Sequence, residues 1–363
     1  MSKEMIETLV KRWIKPGIRA LSAYHVADAK GLIKLDAMEN PYTWPEGLRR
    51  EWLELLVNTD VNRYPHPQAP EVKAALRRTM SIPEQADLVL GNGSDELIQM
   101  IAMSVGGPGR CLLSVEPTFV MYRMIAAFLD LDYVGVPLRR DDFSMDLNSV
   151  LTAVREHQPA VIFLAYPNNP TGNLFDQDDL RSIVEAAPGL VVIDEAYAPF
   201  TEVSMLSMVG RYDNLLVMRT VSKMGLAGLR LGLLVGPSPW LEQIDKTRLP
   251  YNINILTQIS AAFALRHQAV FDQQTEAIRR ARDLLFKALR SLPGVEPLPS
   301  QANFILLRIG EGRALECYRR LRERGILVKN LHGTHATLED CLRVTVGTPE
   351  ENSAFLEALK ALL

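Results

Sequence analysis

From Leu88 onward, short unbroken apolar runs alternate with stretches whose apolar positions recur at helical spacing. Runs at 88–90, 111–115, 133–136, 160–165, 189–193, 215–221 and 231–235 predict strands, and the segments 94–105, 120–128 and 147–156 predict helices between them. Such alternation is the pattern of a mainly parallel sheet, here seven-stranded, covered by helices on both faces. Before it, residues 4–14 predict an amphipathic helix that stops at Lys15-Pro16-Gly17, followed by irregular chain with one short strand at 32–35. A segment of this kind has no core of its own and is expected to pack as an arm on the second domain or on a partner subunit. A helix is expected at 48–57, and the two prolines of Asn62-Arg63-Tyr64-Pro65-His66-Pro67 impose extended backbone beyond it, with Tyr64 a loop anchor or a contact.

Past the seventh run, Pro237-Ser238-Pro239 reads as a break and residues 253–292 as a long helical link. Strands at 304–308, 326–329 and 341–346 with helices at 313–323 and 350–362 then predict a smaller α+β unit. The expected division is an arm with part of the small domain over 1–45, a large domain over 46–270 and a small C-terminal domain over 271–363.

Composition narrows the function. A chain of 363 residues that is 47% hydrophobic and 23% charged has room for two cores, and a net charge of -3 offers no broad basic surface to nucleic acid or an anionic membrane. A small-molecule site is therefore expected. Three scattered cysteines make no disulfide framework and suit a reducing compartment; with no run of membrane-spanning length and an acidic start, the expected address is the cytoplasm. His332 and His335 are spaced to share a metal on a helix but stand in a Gly/Thr loop without a third ligand nearby, so no metal is expected.

In an open α/β sheet the ligand crevice lies at the carboxyl ends of the strands. That rule gathers Asn169, Asp194, Tyr197 and Lys223 at one rim. Each has a plainer reading: an aspartate there often caps a helix, and most lysines are simply solvated. Gly91-Asn92-Gly93-Ser94-Asp95 before a helix can be mere capping, with Ser94 and Asp95 as caps, or a cradle of amides for an anion. Taken together the rim holds an amine able to form an imine, a carboxylate, hydrogen-bonding Asn169 and Tyr197, the aromatic Phe119 and an anion cradle. Those are the requirements of pyridoxal 5'-phosphate: Asp194 against the pyridine nitrogen, Asn169 and Tyr197 at the phenolic oxygen, Phe119 and Ala196 on the two ring faces, and Gly93, Ser94, Asp95, Ser222 and Arg230 around the phosphate.

Asn169-Pro170-Thr171-Gly172, Asp194-Glu195-Ala196-Tyr197, Ser222-Lys223 with Gly228-Leu229-Arg230, and Cys341-Leu342-Arg343-Val344-Thr345-Val346-Gly347 occur in order, with Asn62-Arg63-Tyr64-Pro65 and Gly93-Ser94-Asp95-Glu96 ahead of them. In these motifs nearly the whole chain resembles the fold-type I aminotransferases, and among them the histidinol-phosphate aminotransferase family. The resemblance implies a homodimer in which Tyr64 reaches the neighbouring subunit's cofactor phosphate. It implies Tyr24, Asn40, Lys329 and Arg343 at the substrate, with histidinol phosphate serving one half-reaction and glutamate or 2-oxoglutarate the other. Two departures stand out: the segment between Lys223 and Arg230 is one residue shorter than in many members, and Lys329 stands where an arginine is expected. A threonine-phosphate decarboxylase or an aromatic amino acid aminotransferase would share most of these residues. A non-enzymatic ligand sensor on the same scaffold would normally carry a DNA-binding domain, and only about forty residues precede the fold.

Overall fold

A computed structural model of the chain describes residues 3–23 and 26–363; Tyr24 lies outside the described residues. The strands are β1 (Ile33–Leu35), β2 (Asp87–Gly91), β3 (Cys111–Glu116), β4 (Asp132–Pro137), β5 (Val161–Ala165), β6 (Leu190–Asp194), β7 (Leu215–Thr220), β8 (Gly232–Gly236), β9 (Val295–Pro297), β10 (Phe304–Ile309), β11 (Ile326–Asn330) and β12 (Cys341–Thr345). They form a seven-stranded sheet in the order β2-β8-β7-β6-β5-β3-β4 and a five-stranded sheet in the order β1-β11-β12-β10-β9.

The large sheet reads as unbroken apolar runs because both its faces are covered. Successive side chains of β5 point to opposite faces, so Ile162 and Leu164 join Leu180 and Ile183 in one core while Val161 and Phe163 join Leu97, Ile101 and Tyr122 in the other. A third core, built on Phe304, Ile326, Val344 and Phe355, underlies the five-stranded sheet. The helix Gln268–Arg290 bridges the units, burying Phe271 in the first core and Ile278, Leu285 and Leu289 in the third.

Several expectations need correction. β8, the last of the seven runs, lies inside the large sheet and runs antiparallel between β7 and β2, which leaves β2 and β4 at the edges. Pro237-Ser238-Pro239 starts a helix, Ser238–Asp245, because proline is tolerated in a first turn where its missing N–H has no partner to lose. The long link is two helices, Ile255–Arg266 and Gln268–Arg290, parted at His267. The helices Pro70–Thr79 and Gln177–Ala186 and the strand β9 were not foreseen. β1 pairs in parallel with β11, so the N-terminal segment completes the small sheet.

Candidate active site

Strands β6 and β7 deliver the two groups with the most chemical potential. Asp194 is the last residue of β6, and Lys223 follows the end of β7 in a tight turn, Ser222–Leu226, that Gly225 makes possible with a φ of 127°. Both face a cavity of about 400 Å³ that is also lined by Ser94, Asp95, Phe119, Asn169, Ala196, Tyr197, Ser222 and Arg230. Ten of the residues expected at a cofactor therefore meet in one space.

Asp194 is buried, its Oδ2 accepting from the Tyr122 hydroxyl at 2.7 Å and its Oδ1 from the Ala196 N–H at 3.1 Å. Burial pushes its carboxyl up to about 6, while these two donors oppose the rise. Burial, helped by the positive charge of Arg343, lowers the Lys223 ammonium to about 8. Its Nζ donates to the Ala37 carbonyl at 3.3 Å and sits 5.9 Å from the centre of the Tyr197 ring. The site thus pairs a buried carboxylate with an amine whose proton is loosely held.

The anion cradle is assembled differently from expectation. Gly93, not Ser94 or Asp95, occupies the N-cap of the helix Ser94–Val105, and no side chain caps it. Gly93 has a φ of 82°, and a Cβ there would lie 2.5 Å from Nη2 of Arg230. Glycine is needed both for the turn and for the close approach of the guanidinium. Arg230 itself adopts a left-handed conformation and pairs with Asp95 at 3.4 Å, so Asp95 positions the cation instead of capping the helix. Ser222 presents its hydroxyl 2.9 Å from that of Thr220.

Met38, Phe119 and Asn169 also border a second cavity of about 300 Å³, where Lys329 and Arg343 supply positive charge. Arg343 on β12 is buried and donates to Oδ1 of Asn169 at 2.6 Å and to the Asp36 carbonyl at 2.9 Å. Burial, and then the charge of Arg343, lowers Lys329. Asn40 is spent on scaffolding: its amide donates to the Met224 carbonyl at 2.9 Å and to Gln274 at 3.0 Å, holding the arm against the Lys223 turn. Tyr64 is 81% exposed and stacks on Tyr251 with ring centres 4.4 Å apart, on the surface and not in the cavity.

Tyr122 was missed by sequence reasoning; its only signal was its position three residues after Phe119, on the same side of a helical turn. Also missed was the ion pair behind the site, where buried Glu195 takes two guanidinium donors of Arg219 at 2.9 and 2.7 Å and both its oxygens contact Ser204. With Asp194 turned toward the cavity and Glu195 locked on Arg219, adjacent carboxylates are kept in separate roles. Among the described residues no group of three or more His, Cys, Asp and Glu side chains is placed to hold a metal ion. The donor set fits a phosphorylated pyridine aldehyde: a buried carboxylate suited to a ring N–H, a buried amine, and free helix-start amides beside Arg230.

The family model for class I and II aminotransferases matches residues 30–359. The chain belongs to that family. This aminotransferase is 56% identical over 357 residues to histidinol-phosphate aminotransferase 2 of Nitrosococcus oceani, covering 98% of this chain and 99% of the relative. It is 50% identical to histidinol-phosphate aminotransferase 2 of Cupriavidus pinatubonensis, with 98% of each chain covered. Among solved structures, the fold of the histidinol-phosphate aminotransferase from Sinorhizobium meliloti, determined with pyridoxal 5'-phosphate, superposes with a TM-score of 0.86 at 23% identity, covering 96% of this chain and 97% of that one.

Proposed function

We propose that this aminotransferase exchanges an amino group between L-histidinol phosphate and 2-oxoglutarate, giving imidazole-acetol phosphate and glutamate, with pyridoxal 5'-phosphate as cofactor. The observation that carries the reading is the placement of Asp194 and Lys223 in one buried cavity that borders the basic pocket of Arg343 and Lys329. The relatives' names, at 50–56% identity over nearly the full length, favour this substrate over the alternatives.

When bound, the cofactor supplies an aldehyde for amines and a ring that withdraws electrons from the bond being broken. Lys223 would hold the aldehyde of the bound cofactor, and its amine, with a proton that burial loosens, would carry the proton to and from the substrate carbon bearing nitrogen. Asp194 would hold negative charge toward the cofactor's ring nitrogen. Asn169 and Tyr197 would hydrogen-bond the cofactor's ring oxygen, Phe119 and Ala196 would pack on the ring, and Gly93, Ser94, Asp95, Ser222 and Arg230 would hold the phosphate. Arg343 grips a glutamate carboxylate in one half-reaction and the substrate phosphate in the other, which a guanidinium fork suits equally. Lys329 adds charge at the same end, and Asn40 acts by holding the arm.

The site is proposed to be shared in a homodimer, each Tyr64 reaching the other subunit's phosphate. Supporting this are the exposure of Tyr64 and the apolar side chains that the first helix, Lys3–Trp13, leaves exposed: Met5, Ile6, Leu9, Val10 and Trp13. The domain limits at residues 45 and 270 and a cytoplasmic location are part of the same reading. The test is single-turnover conversion of the cofactor to its amino form with histidinol phosphate, phenylalanine or threonine phosphate, with carbon dioxide monitored. Fast reaction with histidinol phosphate supports the proposal. Faster reaction with phenylalanine, or carbon dioxide from threonine phosphate, replaces it.

A further inference from the structure

The basic pocket has a second polar end, away from Arg343 and Lys329 in character. Glu116, the last residue of β3, is the only carboxylate among the described residues that line it; Arg123 and Tyr133 stand beside it on the same unit, and His335 reaches in from the loop between β11 and β12. Pro117, Leu331 and Leu338 add apolar lining. The lining thus offers both fixed positive charge, from Lys329 and Arg343, and a carboxylate acceptor, Glu116.

The Glu116 side chain is only 14% exposed, whereas Arg123, which forks onto it at 3.1 and 2.5 Å, is 59% exposed and lies toward solvent. A carboxylate has about four acceptor positions, and the fork takes two. Burial and the neighbouring carboxylate push the Tyr133 phenol up, so Tyr133 stays a protonated donor to the same group. On the cavity side, Oε2 of Glu116 lies 3.7 Å from Nε2 of His335, too far for a hydrogen bond. The Thr337 N–H donates to Nδ1 of His335 at 3.2 Å, which places the proton of the neutral ring on Nε2. The carboxylate therefore keeps acceptor capacity toward the pocket, and the imidazole that faces it comes from the opposite unit of the fold.

We propose that Glu116 determines specificity for the heteroaromatic arm of the substrate: its carboxylate accepts the ring N–H while His335 closes the pocket over that ring. The inference rests on the proposed function and deepens it, since histidinol phosphate has one anionic arm for Arg343 and one arm with a ring N–H. A carbocyclic ring offers Glu116 no donor, and it would leave a buried acceptor short of a partner. Glutamate has no ring N–H to offer and gains nothing from Glu116.

The experiment measures the two half-reactions separately, by single turnover of the cofactor-loaded enzyme with histidinol phosphate and with glutamate. Glu116→Leu should lower the efficiency with histidinol phosphate by about 10- to 100-fold, the range for a lost charge-assisted hydrogen bond, and leave glutamate unchanged. Glu116→Gln, which keeps an acceptor without the charge, should fall between the variant and the native protein. Equal losses with both substrates would make Glu116 a structural residue and overturn the proposal, as would no loss with either. Should Glu116→Leu not fold, the native enzyme is assayed with histidinol phosphate methylated on either ring nitrogen. One isomer should lose a similar factor, and full activity with both overturns the proposal. A native enzyme that ignores histidinol phosphate but transaminates another amine fails before any variant is made, which separates loss of the functional reading from loss of this subsite.

Discussion

The Tyr122–Asp194 hydrogen bond is the feature most open to a quantitative check. Tyr122→Phe removes one hydroxyl and keeps the ring, which stacks on Phe163 at 4.9 Å and meets Phe119 edge-on at 5.7 Å. A hydrogen bond to a charged group contributes about 1.5–3 kcal/mol, and each pKa unit corresponds to about 1.36 kcal/mol, so Asp194 should rise from about 6 to roughly 7–8 in the variant. The sign follows from linkage. Because the folded value lies above the ordinary 3.8, protonated Asp194 contributes stability that is fully present below pH 3.8 and is lost as pH rises through the folded pKa. In Tyr122→Phe that loss extends over a wider pH range, so the variant apoenzyme should be less stable than native by about 1.5–3 kcal/mol above pH 8 and by less near pH 5. Difference infrared spectra of apoenzyme, with Asp194→Asn as the blank, read the carboxyl directly. An Asp194 titration that does not move, or a stability loss equal at pH 5 and pH 9, refutes the argument.

Three further outcomes are expected. Cofactor capture by apoenzyme should accelerate as pH rises through about 8, where Lys223 loses its proton, and Lys223→Ala should give a colourless, inactive protein; borohydride fixation of the cofactor to another lysine, found by peptide mapping, contradicts the assignment. Arg343→Ala should weaken both substrates by roughly ten- to a hundredfold, whereas Lys329→Ala should harm histidinol phosphate more than glutamate because phosphate carries more charge, as steady-state KM values for each will tell. Glu195→Ala leaves the mostly buried Arg219 unpaired and should cost about 3–5 kcal/mol in urea unfolding, with Glu195→Gln milder; a cost under about 1 kcal/mol for the alanine variant removes that pair from the scaffold.

Legibility in the sequence followed physical locality. β5 and β6 could be read because strands buried on both faces leave no polar residue to interrupt them. The direction of β8 was open to the same reasoning: its link to β7 runs only from Val221 to Leu231 and carries no crossover helix, too little for a parallel return. The helix Gln177–Ala186 escaped because it buries only Leu180, Ile183 and Val184 in a charged sequence, although Asp176 caps it through the N–H groups of Asp178 and Asp179. Ser94 and Asp95 looked like caps because a residue list cannot show that Gly93 turns the backbone first. The cofactor-side residues could be named from their motifs, but the partner that steadies Asp194 lies 72 positions away, and nothing in either local sequence records the meeting.

The pairing of β1 with β11 has a consequence in time. Ile33 is matched with Ile326, and the next turn of chain, Ala37 to Glu39, lines the cavity and receives the Lys223 hydrogen bond. Met38 is pinned by the hydroxyl of Thr345 and by the amide of Asn303. Residues made near the start of synthesis therefore wait for residues made near its end. While the ribosome is still producing β10 to β12, the large sheet can already be folded, yet the chamber around Lys223 lacks one wall and is open to water. Cofactor capture in its native geometry thus becomes a late event, timed by the arrival of the C-terminal strands and not by the synthesis of the lysine.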